Sequence, residues 1–159
     1  MRPLHKIILI LLLLVSITCD EPPMDEPQVL TYEQSVLERN LIQLINDYRA
    51  QNNLMIVSST EHISALAYEH NLWMIENHVF SHDYFQTRAD NIILVLDAEH
   101  VGEILAYNYQ SNSSALSAWL NSPPHKDILD DNRYGYIGLA ITQDLITNRK
   151  YYTAIFAGD

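Results

Sequence analysis

The sequence contains one cysteine, Cys19, and four glycines. A single cysteine cannot form a disulfide within the chain, even in an oxidising compartment where disulfides persist. The sequence also contains no glycine-rich phosphate-binding loop, no Gly-x-Ser-x-Gly turn and no His-Glu-x-x-His motif. These absences favour binding over catalysis.

Basic residues are scarce as well. Nine Lys and Arg residues stand against 20 Asp and Glu residues, which gives a formal net charge of −11 at pH 7. A surface this acidic is repelled by phosphate backbones and by anionic lipid headgroups, and the sequence shows no basic patch or basic-aromatic run. Nucleic acid is therefore excluded as an expected partner, and membrane association needs another source.

The longest hydrophobic run is short. Residues 7–18 form an apolar stretch of about twelve residues, whereas roughly 20 are needed to span a bilayer. Basic residues precede this stretch, as in a secretory signal, which we assign to residues 1–18. Ser16-Ile17-Thr18 before Cys19 resembles the lipobox of bacterial lipoproteins. We therefore expect lipidation at Cys19; the alternative is an ordinary signal peptide with a chance cysteine.

Residues 19–31 form an acidic, proline-rich segment with three prolines and four acidic residues. Such a composition offers little to a hydrophobic core, so we expect an extended tether, in which residues 20–28 reach about 30 Å. The lipid on Cys19 would then attach an exported protein to a bacterial membrane. The expected location is the cell surface, at the outer membrane.

Residues 32–159 are predicted to form one domain with helices before and between its strands. Capping-box patterns at Thr31/Gln34 and Ser58/Glu61 predict helices over 32–51 and up to Asn77. A third helix, capped by Asn112 or Ser113, is expected to run through Trp119 and to end at Pro123-Pro124. Strands are predicted at residues 102–107, 136–141 and 150–157, and residues 91–97 are predicted to be a strand or an irregular segment. A sheet covered by helices on both faces is the expected packing.

Several short motifs occur in a fixed order along this domain. They are Leu44-Ile45-Asn46-Asp47-Tyr48-Arg49, Ala67-Tyr68-Glu69-His70, Phe80-Ser81-His82, Gly102-Glu103-Ile104, Ala118–Leu129 and Tyr136–Ala140. Together they resemble bacterial members of the CAP superfamily, also called SCP-like or PR-1-like domains. The resemblance implies an α/β fold with three α/β/α layers.

The resemblance also implies a surface cleft built around His82, Glu103 and His125. Two imidazoles and a carboxylate are a suitable ligand set for a divalent cation such as zinc. The alternative is a structural hydrogen-bond network that joins two loops. The sequence departs from the family pattern twice, with Ile104 in place of asparagine and Ser122 in place of a second glutamate. His70 lies on the apolar stripe of the second helix and is predicted to be a core or rim histidine.

These features predict a surface-tethered, non-enzymatic recognition domain whose cleft binds a metal or a small ligand. The partner would be an unidentified protein, small molecule or lipid. A metal-assisted hydrolase with Glu103 as base is an alternative that acts on peptide or cell-envelope material. A carrier of sterol or another lipid is a second alternative, which the family resemblance suggests.

Overall fold

The computed structural model describes residues 28–159. The predicted signal sequence, Cys19 and most of the predicted tether lie outside the described residues. No helix among the residues that are described combines the length and the apolar character that crossing a membrane requires. The elements in chain order are α1 (Val36–Gln51), β1 (Ser58–Ser59), α2 (Glu61–Glu76), α3 (Phe85–Leu96), β2 (His100–Tyr107), α4 (Asn112–Leu120), α5 (Pro123–Asp130), β3 (Tyr134–Gln143) and β4 (Lys150–Gly158).

The four strands form one sheet in the order β1-β3-β4-β2. The β3–β4 and β4–β2 pairs are antiparallel, while the two-residue strand β1 pairs in parallel with β3. β4 thus lies inside the sheet, and its residues from Tyr151 to Gly158 are all buried. This explains why the strand is an almost continuous apolar run rather than an alternating one.

Helices cover both faces of this sheet, which confirms the predicted three-layer α/β/α fold. On one face, α1, α4 and α5 pack on alternate strand residues such as Ile104, Leu139 and Phe156. On the other face, α2 and α3 pack on residues of the opposite register, including Ala140 and Ile155. Because successive strand residues point to opposite faces, the two apolar cores follow from a single sheet.

The contact between α2 and β3 depends on a glycine. A Cβ atom at Gly138 would lie 2.3 Å from backbone atoms of Ile63 and Ser64. No neighbouring side chain could move to relieve that overlap, because the atoms belong to the helix backbone. Gly138 therefore sets the distance of α2 from the sheet, and α2 in turn positions the loop that follows it.

The two predicted capping boxes were placed too early in the chain. Helix α1 begins at a box formed by Ser35 and Glu38, in which each side chain accepts a backbone N–H of the other residue. Gln34, predicted as part of the box, instead hydrogen-bonds the hydroxyls of Ser59 and Ser64. Thr60 caps α2, since Ser58 belongs to β1.

The predicted strand at residues 91–97 is wrong, because this segment lies in helix α3. The buried residues Arg88, Ala89 and Ile92 have helical spacing, with Leu96 half-buried one turn later. A short apolar run fits either a strand or one side of a helix, and the sequence pattern alone does not distinguish them. The other three predicted strands are confirmed as β2, β3 and β4, each slightly longer than expected.

The prediction that Pro123 and Pro124 end the third helix is incomplete. Helix α4 ends at Leu120, and Pro123 then occupies the first turn of a separate helix, α5. Proline is compatible with that position because the first N–H groups of a helix have no partner within it. The cap of α4 is Ser111, which precedes both residues predicted for that role.

Candidate functional site

The three predicted site residues lie on three separate elements. His82 is in the loop between α2 and α3, Glu103 is in β2, and His125 is in the first turn of α5. The loop enters α3 through Tyr84, which has a left-handed backbone with φ of 59°, and the amide of Phe85 donates to the carbonyl of His82. This tight turn holds His82 above the edge of the sheet.

Glu103 is the centre of a hydrogen-bond network. Its side chain is 1% exposed, and His82 Nδ1 lies 2.8 Å from its Oε1 atom. Arg88 donates from Nε to Oε2 and from one terminal nitrogen to Oε1, both at 2.9 Å. This two-point contact between guanidinium and carboxylate is a strong charge-assisted arrangement. Both oxygens of Glu103 are therefore engaged by side chains of this chain.

Arg88 also fixes the loop that carries His82. Its second terminal nitrogen donates to the carbonyl of Asp83 at 2.9 Å. Arg88 thus connects helix α3, strand β2 and the His82 loop. The buried charge of Glu103 is compensated by a buried cation rather than by solvent, as a carboxylate in this environment requires.

The contact with Glu103 sets the chemistry of the His82 ring. When Nδ1 donates to the carboxylate, the Nε2 atom of the neutral ring is left as an acceptor. The side chain is 51% exposed, so Nε2 is accessible to a ligand. His82 is consequently held in one orientation at its inner nitrogen and is open at its outer one.

His125 is the second imidazole of the cleft. Burial lowers the pKa of His125, and the nearby His82 lowers it further through charge repulsion. Both effects keep the His125 ring neutral at pH 7. A neutral ring is the form that ligates a metal ion or accepts a hydrogen bond.

His70 lines a pocket of about 260 Å³ together with Trp73, Tyr84 and Arg88. The residue is buried, and its Nε2 atom is 2.9 Å from the carbonyl oxygen of Ser81. Burial is the main reason why the pKa of His70 is lowered, and Arg88 adds to the effect. His70 is therefore a core histidine that supports the loop of His82, as its position on the apolar stripe predicted.

The donor set does not suit a three-ligand metal site that includes Glu103. A cation on this carboxylate would have to replace Arg88, which is itself buried. Within residues 28–159, no three side chains of His, Cys, Asp or Glu are grouped closely enough to hold a metal ion. Glu103 instead contacts the inner ring nitrogen of His82. Carboxylates in this position usually orient a histidine that binds a metal through its other nitrogen. The metal site at His82, Glu103 and His125 stays a prediction.

Sequence reasoning did not identify Arg88. The residue was overlooked because the segment after it was interpreted as a strand, so no helix was expected to carry Arg88 towards the cleft. The available signal was the spacing of Arg88 with Ala89 and Ile92, which marks one face of a helix. A lone arginine on such a face indicates a buried acidic partner.

A separate groove lies between the start of α1 and the loop before α4. It has a volume of about 520 Å³ and is lined by Leu37, Leu44 and Tyr152, with Lys150 among its polar residues. Asn112 closes one part of it by donating to the carbonyl of Leu37 at 2.7 Å. The groove is distinct from the cleft, because none of its lining residues belongs to the network of Glu103.

A match to a known protein family identifies the class of this domain. The family model described as the cysteine-rich secretory protein family, CAP, matches residues 42–156. This match covers most of the chain, and the chain therefore belongs to the CAP family. The family resemblance found in the sequence motifs is confirmed.

Several relatives with similar sequence or structure come from bacteria. The chain is 29% identical over 126 residues to the uncharacterized membrane protein YlbC of Bacillus subtilis; this match includes 77% of the chain and 35% of that protein. An outer surface protein of Borrelia burgdorferi has a similar structure, with a TM-score of 0.68 at 23% identity over 76% of this chain and 90% of that one.

An extracellular protein of Bacillus anthracis that contains an SCP domain gives a TM-score of 0.66 at 24% identity. That match covers 77% of this chain and 40% of the other. The chain spans about a third of the length of the curated relative that it matches. The two structural likenesses show a shared fold, and the names of the three relatives place them in a membrane, at an outer surface or outside the cell.

Proposed function

We propose that this protein is an exported, membrane-tethered recognition domain whose binding site is the cleft between His82 and His125. Ligand contact is made by the two imidazoles, while Glu103 and Arg88 hold the cleft in shape. The site binds a small ligand or a divalent cation through neutral imidazole nitrogens and performs no chemical step.

The observation that supports this proposal is the engagement of both Glu103 oxygens. A general base must accept a proton from water or substrate, and both oxygens of this carboxylate are already held by side chains of the protein. The metal-assisted hydrolase is therefore less well supported than recognition. His82, in contrast, has an exposed nitrogen with no role in the network.

Calorimetric titration with zinc chloride at pH 7.5 and pH 5.5 tests this site. Zinc is expected to bind at the higher pH and to lose affinity at the lower one, because protons and metal compete for the imidazoles. Either His82→Ala or His125→Ala should abolish binding. Glu103→Gln should retain measurable binding but lower the thermal stability of the protein with and without zinc.

The same titration distinguishes the alternatives. Complete loss of binding in Glu103→Gln, with stability unchanged, would identify Glu103 as a direct ligand and contradict the two-imidazole site. No binding by the wild type at either pH would remove the metal and leave the histidines for an organic ligand. Hydrolysis of casein or of peptidoglycan by the wild type, lost in Glu103→Gln, would overturn the non-enzymatic assignment.

Attachment to the membrane is the other part of the proposal. It is supported by the lipobox resemblance before Cys19 and by relatives named as membrane and outer-surface proteins. Cys19→Ser should abolish incorporation of radioactive palmitate and shift the protein out of the detergent phase, because acyl chains provide the membrane affinity. Unchanged labelling of the variant would contradict lipidation at Cys19.

Lipid carriage is a second candidate function, and the groove beside α1 favours it. Leu37, Leu44 and Tyr152 in its lining can contact an acyl chain, and Lys150, one of its polar lining residues, can bind an acidic headgroup. Displacement of a fluorescent fatty acid by unlabelled palmitate would test this function. Leu44→Asp should abolish that signal, whereas His125→Ala, in the separate cleft, should leave it intact.

A further inference from the structure

The turn between β3 and β4 presents two aliphatic side chains to solvent. Leu145 is 88% exposed and Ile146 is 87% exposed, and within residues 28–159 no other large hydrophobic side chain reaches 70%. The two are adjacent in sequence at the end of a hairpin, which we call the hairpin tip and define as residues 144–149. Their combined apolar surface lies at one extremity of the sheet.

The fold does not require these two residues to be apolar. The turn is closed by backbone bonds from Asn148 to Asp144 and from Asp144 to Arg149, both at 2.8 Å. The Asp144 carboxylate accepts the amide of Ile146 at 2.9 Å and the hydroxyl of Thr147. This is the usual stabilisation of an Asx-type turn, in which the intervening side chains are free. Leu145 and Ile146 therefore lie in water without any contribution to the core.

Two cations follow the exposed pair. Arg149 hydrogen-bonds the hydroxyl of Tyr107 at 2.9 Å, and Lys150 begins β4. Neither forms an ion pair, although Arg88, Lys126 and Arg133 each have a carboxylate partner within the described part of the chain. Residues 143–150 contain two cations, Arg149 and Lys150, and one acidic residue, Asp144. The segment therefore has a net charge of +1 in a chain whose net charge is −11.

Aromatic and aliphatic surface continues beside the tip. The Phe80 and Tyr107 rings are 5.5 Å apart between centroids, and Arg149 lies over the Tyr107 ring. Phe80 is 48% exposed, and Val79 before it is also exposed. A protruding aliphatic pair with an aromatic residue and unpaired cations behind it matches the composition of segments that lie in a membrane interface.

From this arrangement we propose that the hairpin tip is a second membrane contact, in which Leu145 and Ile146 enter the interface of a bilayer that contains anionic lipids. Arg149 and Lys150 lie behind them at the level of the headgroups. The acidic remainder of the domain is repelled by the same headgroups, so the contact is restricted to this end of the molecule.

The length of the tether is compatible with this orientation. Leu30, whose amide donates to His62, lies near the start of α2, and α2 crosses β3 at Gly138. From Gly138 to the start of the tip at Asp144, the chain of β3 extends by about 20 Å at the usual rise per residue. The segment from Cys19 to Gln28 reaches about 30 Å when extended. This step alone rests on the lipid anchor proposed above.

Fluorescence of a labelled cysteine tests the contact. The full chain with Cys19→Ser receives one new cysteine, either Ile146→Cys at the tip or Leu94→Cys on α3, where the native side chain is 67% exposed. Each thiol carries the same environment-sensitive dye. Vesicles contain phosphatidylcholine alone or with phosphatidylglycerol, and a nitroxide-bearing lipid serves as quencher. Because both variants share the same N-terminal segment, its effect on binding cancels in the comparison.

On vesicles with phosphatidylglycerol, the dye at position 146 is expected to shift to the blue and to be quenched by the nitroxide lipid. The dye at position 94 should show neither effect. Added salt, or Arg149→Gln with Lys150→Gln, should weaken the response at position 146 because headgroup attraction is lost. Since Cys19 is absent throughout, the result does not depend on lipidation.

Two outcomes would overturn the proposal. Absence of a blue shift and of quenching at position 146, on vesicles that carry the protein, would show that the tip stays in water. Shielding of position 146 without vesicles, increasing with protein concentration, would assign the tip to contact between two copies of the chain.

Discussion

The cleft and the hairpin tip differ in where they place charge and apolar surface. In the cleft, Glu103 and Arg88 are withdrawn from water, and each has its hydrogen-bond partners within the protein. At the tip, Leu145 and Ile146 are in water and have no partners in the core. The first arrangement contributes to folding and tolerates little change. The second contributes almost nothing to folding, so its composition is free to serve a function.

The sharpest test of this contrast is removal of Arg88. Arg88→Ala leaves the carboxylate of Glu103 buried with only His82 beside it, and breaking a buried pair in this way costs about 3–5 kcal/mol. Total stabilities are only about 5–15 kcal/mol, so the variant should be close to unfolding. Urea denaturation at pH 7 measures the loss.

Arg149→Ala is the matched control, because it removes an arginine from the tip. It should leave the urea midpoint unchanged. Arg88→Lys should give an intermediate loss, since an ammonium supplies the charge but not the two-point contact. A loss below about 1 kcal/mol in Arg88→Ala would mean that water replaces the guanidinium, and Glu103 would then have a free oxygen for a ligand.

Protonation of the buried His70 is expected to have a smaller effect on the free energy of unfolding. Its pKa is lowered below the ordinary value of 6.5 in the folded protein, so the unfolded chain binds the proton more tightly. The associated stability is complete above pH 6.5 and is lost as the pH falls through the folded pKa. His125 contributes in the same direction. The free energy of unfolding should therefore decrease below about pH 6.5.

His70→Gln isolates this contribution, because the amide can still donate to the carbonyl of Ser81 but does not titrate. Urea titrations between pH 7.5 and pH 5 should show a shallower decline in the variant than in the wild type. Parallel declines would show that groups other than His70 carry the pH dependence. The tip should be insensitive over the same range, because residues 144–149 contain no histidine.

The sequence predicted the elements whose patterns are local and complete. Strand β4 and helix α2 were recognised because long runs of apolar residues had a clear period. Helix α3 was not, because Ile92 to Leu96 forms a short apolar run in which only part of the helical period is visible. The error mattered for the site, since α3 carries Arg88, which donates to both oxygens of Glu103.

The three family-derived site residues show a different limit of prediction. His82 and Glu103 are in direct contact, as their motifs implied, although 21 positions separate them. His82 is near enough to His125 to contribute to the lowering of the His125 pKa. The motifs did not predict which atoms of the site are free to bind a ligand. Both oxygens of Glu103 accept hydrogen bonds from Arg88, and Arg88 lies outside every motif. The hairpin tip was missed for the opposite reason, since exposure of Leu145 and Ile146 depends on the turn geometry.

The smallest change in the free energy of unfolding is expected from substitutions at the tip itself. The double variant Leu145→Ser and Ile146→Ser should change the free energy of unfolding by no more than about 0.5 kcal/mol, as exposed positions without contacts usually do. Asp144→Ala, in contrast, should destabilise the hairpin, because the amide of Ile146 and the hydroxyl of Thr147 both lose their acceptor. Urea denaturation of the two variants beside the wild type provides the measurement. A clear loss in the serine variant would show that the aliphatic pair packs on the protein in solution, and the tip would then be part of the fold rather than a surface kept for a membrane.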